Sequence, residues 1–197
     1  MTENKYFEIV EAPKVPKSKG IQIFIAGGIS NCPYWQSALI EKLQKDQRIL
    51  DEMIRCHEYS KESKIIFLNP RRKKVPPESE TKIQITWEFN NLNVADIICF
   101  WFSEGSPNPI VLFEYARLLS KRYLNIVVGC HENYVRRMDV VIQTELVANS
   151  HTSGHHFPKV HLNFDDFYED LINRIYHNIV RYTTDQAWKL KDKENET

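Results

Sequence analysis

The chain has 197 residues, enough for one domain with a sizeable core and too few for two comfortable ones. Its 26 Lys and Arg balance 26 Asp and Glu, which excludes a whole-molecule attraction to nucleic-acid polymers or anionic membranes. No stretch approaches the roughly 18 apolar residues that span a bilayer, and MTENKYFEIVEAP lacks the apolar centre of a secretion signal, so a soluble, cytoplasmic protein is expected.

Residues 1–19 carry Pro13, Pro16 and several lysines without periodicity and are expected to form a flexible arm. A single domain is expected over 20–190, with a frayed tail at 191–197. Short apolar runs stand at 21–26 (IQIFIA), 64–68 (KIIFL), 96–102 (DIICFWF) and 125–130 (NIVVGC), with a weaker candidate edge strand at 159–163 (KVHLN). They are strand-length, rich in Ile, Val and Phe, and do not alternate with polar residues, as in strands buried on both faces of a parallel sheet. Helical patterns fall at 33–47, 79–94 and 109–122, with a weaker one at 134–147 and an irregular insertion at 48–63. The final segment places Phe164, Phe167, Tyr168, Leu171, Ile172, Ile175, Tyr176, Ile179 and Val180 at helical spacing, with Asn163 positioned to cap it. The alternation predicts a doubly wound, flavodoxin- or Rossmann-like α/β domain: a mainly parallel sheet of about five strands with helices on both faces. Cys32, Cys56, Cys99 and Cys130 have no CxxC spacing and are expected as buried reduced thiols.

In such a sheet the ligand crevice lies beyond the carboxyl ends of the strands, where strand order reverses. After the first predicted strand, Gly27 and Gly28 allow a tight turn and close approach of backbone to a ligand, although Gly-Gly is equally a plain turn and matches no phosphate-loop pattern. After the second, Asn69 lies nearest the crevice, and Arg71 and Arg72 either fork onto an anion or belong to a solvated loop. After the third, Asn108 is a candidate N-cap ahead of Pro109, and Glu114 lies among Ile110, Val111 and Leu118 on a mostly apolar stripe. That carboxylate either pairs with Arg117 or snorkels to the surface, or it serves a site. Gln84, Glu88 and Asn91 share one face of an otherwise apolar helix, as a solvent stripe or as ligand contacts. His151, His155 and His156 have loose metal-ligand spacing without a Cys or carboxylate cluster, and no metal is expected there.

The motifs IFIAGGISN with the following Trp35, FLNPRR, QITWEFNNLNVADIICFWF and PIVLFEYA, in that order, resemble the nucleoside 2-deoxyribosyltransferase-like proteins over about residues 21–145. The resemblance implies a retaining displacement at the anomeric carbon of a nucleoside, with Glu114 as nucleophile and Glu88 as the acid that contacts the base. It places Ala26, Gly27, Gly28, Trp35, Asn69, Arg71, Gln84 and Asn108 around the substrate. It implies no cofactor, a small-molecule nucleoside or nucleotide and a free base as partners, and a homo-oligomer whose pocket a neighbouring subunit completes. Asn108 stands where those enzymes carry another carboxylate, and Phe24 where they carry a tyrosine beside the nucleophile. The expected reaction is cleavage or transfer at an N-glycosidic bond through a glycosyl-Glu intermediate. The alternatives are a nucleoside 5′-monophosphate N-glycosidase, a non-catalytic nucleotide-binding or sensing module, and cleavage of a ribosyl bond in a larger substrate such as NAD.

Overall fold

The computed structural model describes residues 4–74, 77–121, 125–150 and 157–195. The chain runs β1 (Phe7–Glu11), β2 (Lys19–Gly27), α1 (Trp35–Lys45), α2 (Gln47–Tyr59), β3 (Ser63–Asn69), a 3-10 turn (Glu78–Glu80), α3 (Thr81–Val94), β4 (Ile97–Phe102), α4 (Pro109–Leu119), β5 (Ile126–Cys130), α5 (Arg137–Asn149), β6 (Val160–His161) and α6 (Phe164–Asn195). Among the described residues six strands form one sheet in the order β1-β3-β2-β4-β5-β6, and every pairing is parallel. The doubly wound α/β architecture is therefore present, with one strand more than the sequence suggested.

The extra strand lies in the segment expected to be a loose arm. Phe7 and Val10 are buried, one on each face of the sheet, and β1 pairs with β3 from Phe7↔Ile65 to Glu11↔Asn69. The strap that follows is also tied down. The Glu8 carboxylate accepts the Lys17 and Ser18 amides, the Ala12 carbonyl accepts Arg72 Nε, and the Lys14 carbonyl accepts Trp87 Nε1 at 2.6 Å.

The expected helix at 33–47 is shorter, beginning only at Trp35, and the supposed insertion at 48–63 is mostly α2. Asp46 separates the two helices and caps the second, its carboxylate accepting the Arg48 amide at 3.0 Å. Ile49, Met53 and Cys56 then fall at spacings of four and three and are buried. At the other end, Asn163 Oδ1 accepts the Asp166 amide at 2.8 Å, so the expected cap of the last helix is in place. That helix continues as far as Asn195.

Strand residues alternate between two cores. Ile23, Ile25, Phe67, Cys99 and Val127 face α1, α2 and α6, whereas Phe24, Ala26, Leu68, Phe100 and Val128 face α3, α4 and α5. All four cysteines are buried and free. Among the described residues no helix is long and apolar enough to cross a membrane.

One helix is packed inside out. On α3, Trp87 and Leu92 are buried and Gln84 and Glu88 half-buried, while Ile83, Ile85, Phe89 and Val94 are all more than half exposed. Gln84 and Glu88 face the protein beside Trp87 and Leu92, while Ile83, Ile85, Phe89 and Val94 face away from it.

Candidate active site

The connection from β2 leads to β3 on one side of the sheet, and the chain then crosses to β4 on the other. The reversal point is thus the gap between the carboxyl ends of β2 and β4, where a doubly wound sheet binds its ligand.

Two glycines form the floor of that gap. A Cβ on Gly27 has no room against the Trp101 carbonyl and the Trp35 ring, and one on Gly28 would meet the Asn108 side chain and stand 2.5 Å from Cys32 Sγ. The Gly28 carbonyl accepts Gln36 Nε2 at 3.0 Å and Trp35 Nε1 at 3.3 Å. Gln36 is fully buried, and its Oε1 accepts Arg71 Nη1 at 3.0 Å. Arg71 also donates to the Pro33 and Cys32 carbonyls and stacks 3.8 Å over Tyr34. Arg71 is therefore the brace of the β2–α1 loop, while Arg72 is held by Ala12 and Glu80.

The opposite wall is the β4–α4 loop and the first turns of α4. Asn108 sits in the left-handed region at φ 45°, a conformation that Asn tolerates better than most residues. Its side chain does not cap the helix. The backbone carbonyl accepts the Leu112 amide, Oδ1 accepts Cys32 Sγ at 3.4 Å, and Nδ2 is buried without a partner among the described residues.

These walls enclose a cavity of about 380 Å³ lined by Phe24, Ala26, Gly27, Gly28, Ile29, Ser30, Pro70, Glu88, Ser106, Asn108, Pro109, Ile110, Val111 and Glu114. Of the residues expected at the substrate, Ala26, Gly27, Gly28, Asn108, Glu88 and Glu114 line it together. Trp35, Asn69, Arg71 and Gln84 stand behind the wall: Asn69 Oδ1 accepts the Arg71 amide, and Gln84 Nε2 donates to the Pro70 carbonyl and to Glu88 Oε1. Asn91 bonds back to its own helix at the Trp87 carbonyl.

Glu114 makes no hydrogen bond among the described residues. Arg117 is turned away, reaching Asn93 and stacking 4.6 Å over Phe89, so the helical ion pair considered from spacing is not formed. Burial above all, and then the neighbouring Glu88 charge, push the Glu114 carboxyl up to about 7, with Arg117 pulling weakly the other way. Burial likewise raises Glu88, opposed by its bond from Gln84. A pair of carboxyl groups with displaced proton affinities in an apolar cleft is the arrangement that acid–base and nucleophilic chemistry uses.

Sequence reasoning missed Gln36, Cys32, Pro70 and Ser106. Gln36 carried a signal, since it stands three and four residues before Leu39 and Ile40 on the buried stripe of α1. The other three belong to loops without a period. Among the described residues no group of three or more His, Cys, Asp or Glu could hold a metal ion; His151, His155 and His156 lie outside the described residues.

A family model described as nucleoside 2-deoxyribosyltransferase like matches residues 20–134. The crystal structure of a conserved protein from Enterococcus faecalis V583 is similar at a TM-score of 0.43 and 14% identity, over 80% of this chain and 98% of that one. No curated protein sequence matches the chain.

Proposed function

The chain belongs to the nucleoside 2-deoxyribosyltransferase-like family, and from that membership we propose that it cleaves or exchanges the N-glycosidic bond of a 2′-deoxynucleoside. The observation that carries this reading is that Glu114 and Glu88 line one largely apolar cavity at the reversal point of the sheet. A Glu114 oxygen attacks C1′, the C1′–N bond breaks with its electron pair passing to the base, and Glu88 gives the base a proton. A second base or water then attacks C1′ and frees Glu114. The walls supply little hydrogen bonding to a developing oxyanion and two carboxylates near a developing oxocarbenium ion, which suits this reaction.

A neutral nucleoside is favoured over its 5′-monophosphate. No Lys, Arg or His lines the cavity among the described residues, and the Arg71 and Arg72 guanidinium groups are engaged within the protein. A phosphate dianion beside two carboxyl groups would lack a counter-charge. The volume is of the size that takes a drug-sized ligand, which also favours a nucleoside over a dinucleotide.

Self-association belongs to the same reading. Ile83, Ile85 and Phe89 on α3 and Ile110 and Phe113 on α4 are 52–68% exposed, apolar side chains of the kind that partners cover, and Ile110 also lines the cavity. A second copy seated there would close the pocket.

The test is incubation with a panel of deoxynucleosides and free adenine, following base release and new nucleosides by chromatography. New nucleosides identify a transferase, and base release alone a hydrolase. Ligand binding without release, unchanged in Glu114→Gln, would replace the catalytic reading with a sensing module. The absence of any hydrogen bond to Glu114 among the described residues, with Phe24 where the resemblance implies a tyrosine, is what favours that second reading.

A further inference from the structure

We infer that Glu88 and Glu114 act as a single-proton pair, and that Gln84 is the positioning residue that biases the proton toward Glu114 in the free protein. This rests on the reaction proposed above and goes beyond it by giving a role to a side chain that never reaches the cavity.

Gln84 lies one helical turn before Glu88 on α3 and is half-buried. Its Nε2 donates to the Pro70 carbonyl at 3.0 Å and to Glu88 Oε1 at 2.5 Å, so both amide hydrogens are engaged. Pro70 follows Asn69, whose side chain holds the Arg71 amide. The amide is thereby fixed as a donor to Glu88, its own Oε1 being buried without a partner among the described residues. A donor favours the ionised form of the group that accepts from it.

Among the described residues Glu114 has no such donor. The charges that act on it are Glu88 from α3 and, from its own helix, the turned-away Arg117, while among the described residues of β2 and the β3–α3 loop Phe24, Ala26, Gly27 and Pro70 line the same cavity. Glu104, in the β4–α4 loop, lies 3.9 Å from His131 and does not line the cavity. Two ionised carboxylates in one apolar cavity repel, so the pair keeps one proton until the pH approaches 7. The asymmetry set by Gln84 leaves that proton on Glu114.

Turnover needs the reverse arrangement, and one proton suffices. As positive charge develops on the sugar, the proton moves from Glu114 to Glu88, a Glu114 oxygen bonds to C1′, and the electrons of the C1′–N bond go to the base. The base nitrogen takes the proton from Glu88, which returns to the ionised form that Gln84 holds. No further acid or base is consumed.

The experiment is a carbon-13 NMR titration of glutamate-labelled protein without substrate, paired with the pH profile of base release. In the native chain a first step belongs to Glu88, and a second, near 7, to Glu114. In Gln84→Met, which keeps length and loses the donor, the first step moves up by about one pH unit and the second stays, because losing a charge-assisted bond costs the ionised form about tenfold. Gln84→Asn, one methylene too short, gives the same shift should the Met variant not fold. In Glu88→Gln the Glu114 step falls below its native position, since the like charge is gone. A first step unmoved in both Gln84 variants, or a Glu114 step unmoved in Glu88→Gln, would overturn the inference. Steps that move as stated while no nucleoside is cleaved support the pair and remove the transferase reading, because the titration is read without turnover.

Discussion

Gly28 and Asn108 fit together with no space for a further carbon: the Asn108 amide group fills the position that a Cβ on Gly28 would take, with Cys32 Sγ beside it. Gly28→Ala therefore pushes Asn108 and the start of α4 away from β2, moving the helix that carries Glu114. Base release is expected to fall by about a hundredfold for a displacement of this kind, and stability by about 1–3 kcal/mol. Steady-state kinetics and urea denaturation check both, and native-like kinetics in a folded Gly28→Ala would mean that the position of Asn108 does not matter.

Glu114→Gln is expected to lower base release by about a thousandfold or more, as for an isolated nucleophile, and also to change stability with a definite sign. The carboxyl ionises at 4.5 when unfolded and at about 7 when folded. Protonated Glu114 is tolerated in the fold and the ionised form is penalised, so its contribution is full below pH 4.5 and is lost as pH rises to 7. The difference corresponds to about 3 kcal/mol at most. Denaturation at pH 4 and pH 8 should show the variant gaining on the native chain at the higher pH. An equal difference at both values would contradict the raised ionisation.

Arg71→Ala tests whether that arginine reads a phosphate. Its guanidinium braces the Cys32 and Pro33 carbonyls and Gln36, and removing one partner of a buried hydrogen-bonded network costs about 2–4 kcal/mol. The expected result is lower stability with kcat/KM reduced by the same factor for a deoxynucleoside and its 5′-monophosphate. A loss confined to the monophosphate would instead put the guanidinium in the pocket.

Phe7→Ala tests the N-terminal strand. Phe7 is buried and stacks on Phe67 with ring centroids 5.9 Å apart, so truncation should cost about 3–5 kcal/mol. A loosely held arm would give a change within about 0.5 kcal/mol.

Phe113→Glu places a charge on the exposed apolar face of α4 without touching the cavity lining. Sedimentation should show a shift toward smaller species, and an unchanged assembly state would move the contact between copies elsewhere.

The central strands were legible because Ile23, Ile66, Ile98 and Val128 lie in apolar runs that only a doubly covered sheet explains. β1 was not, because FEIVE is five residues long, carries Glu8 and Glu11 and is followed by prolines and lysines, and its burial depends on pairing with β3, far along the chain. At the site, the carboxylates were legible and their supports were not. Glu114 stood out as a charge on an apolar stripe. Arg71 offered the same sequence signal whether it faced a ligand or a loop carbonyl, since the bonds that decide between these are tertiary. On α3 the polar stripe was ambiguous between water and ligand, and neither alternative anticipated that the apolar side would be the exposed one.

The two edges of the sheet limit how copies of this protein can gather. β1 carries Glu8 and Glu11, with Pro13 just beyond, and β6 is two residues long. Open strand edges are the templates on which sheets extend into fibrils, and a charged edge and a very short one are poor templates. What the molecule offers its neighbours instead is the greasy outer side of its helices, where contacts are made by interlocking side chains and are used up once filled. Crowding of this protein should therefore yield particles of finite size that dissolve again on dilution, rather than threads that keep growing.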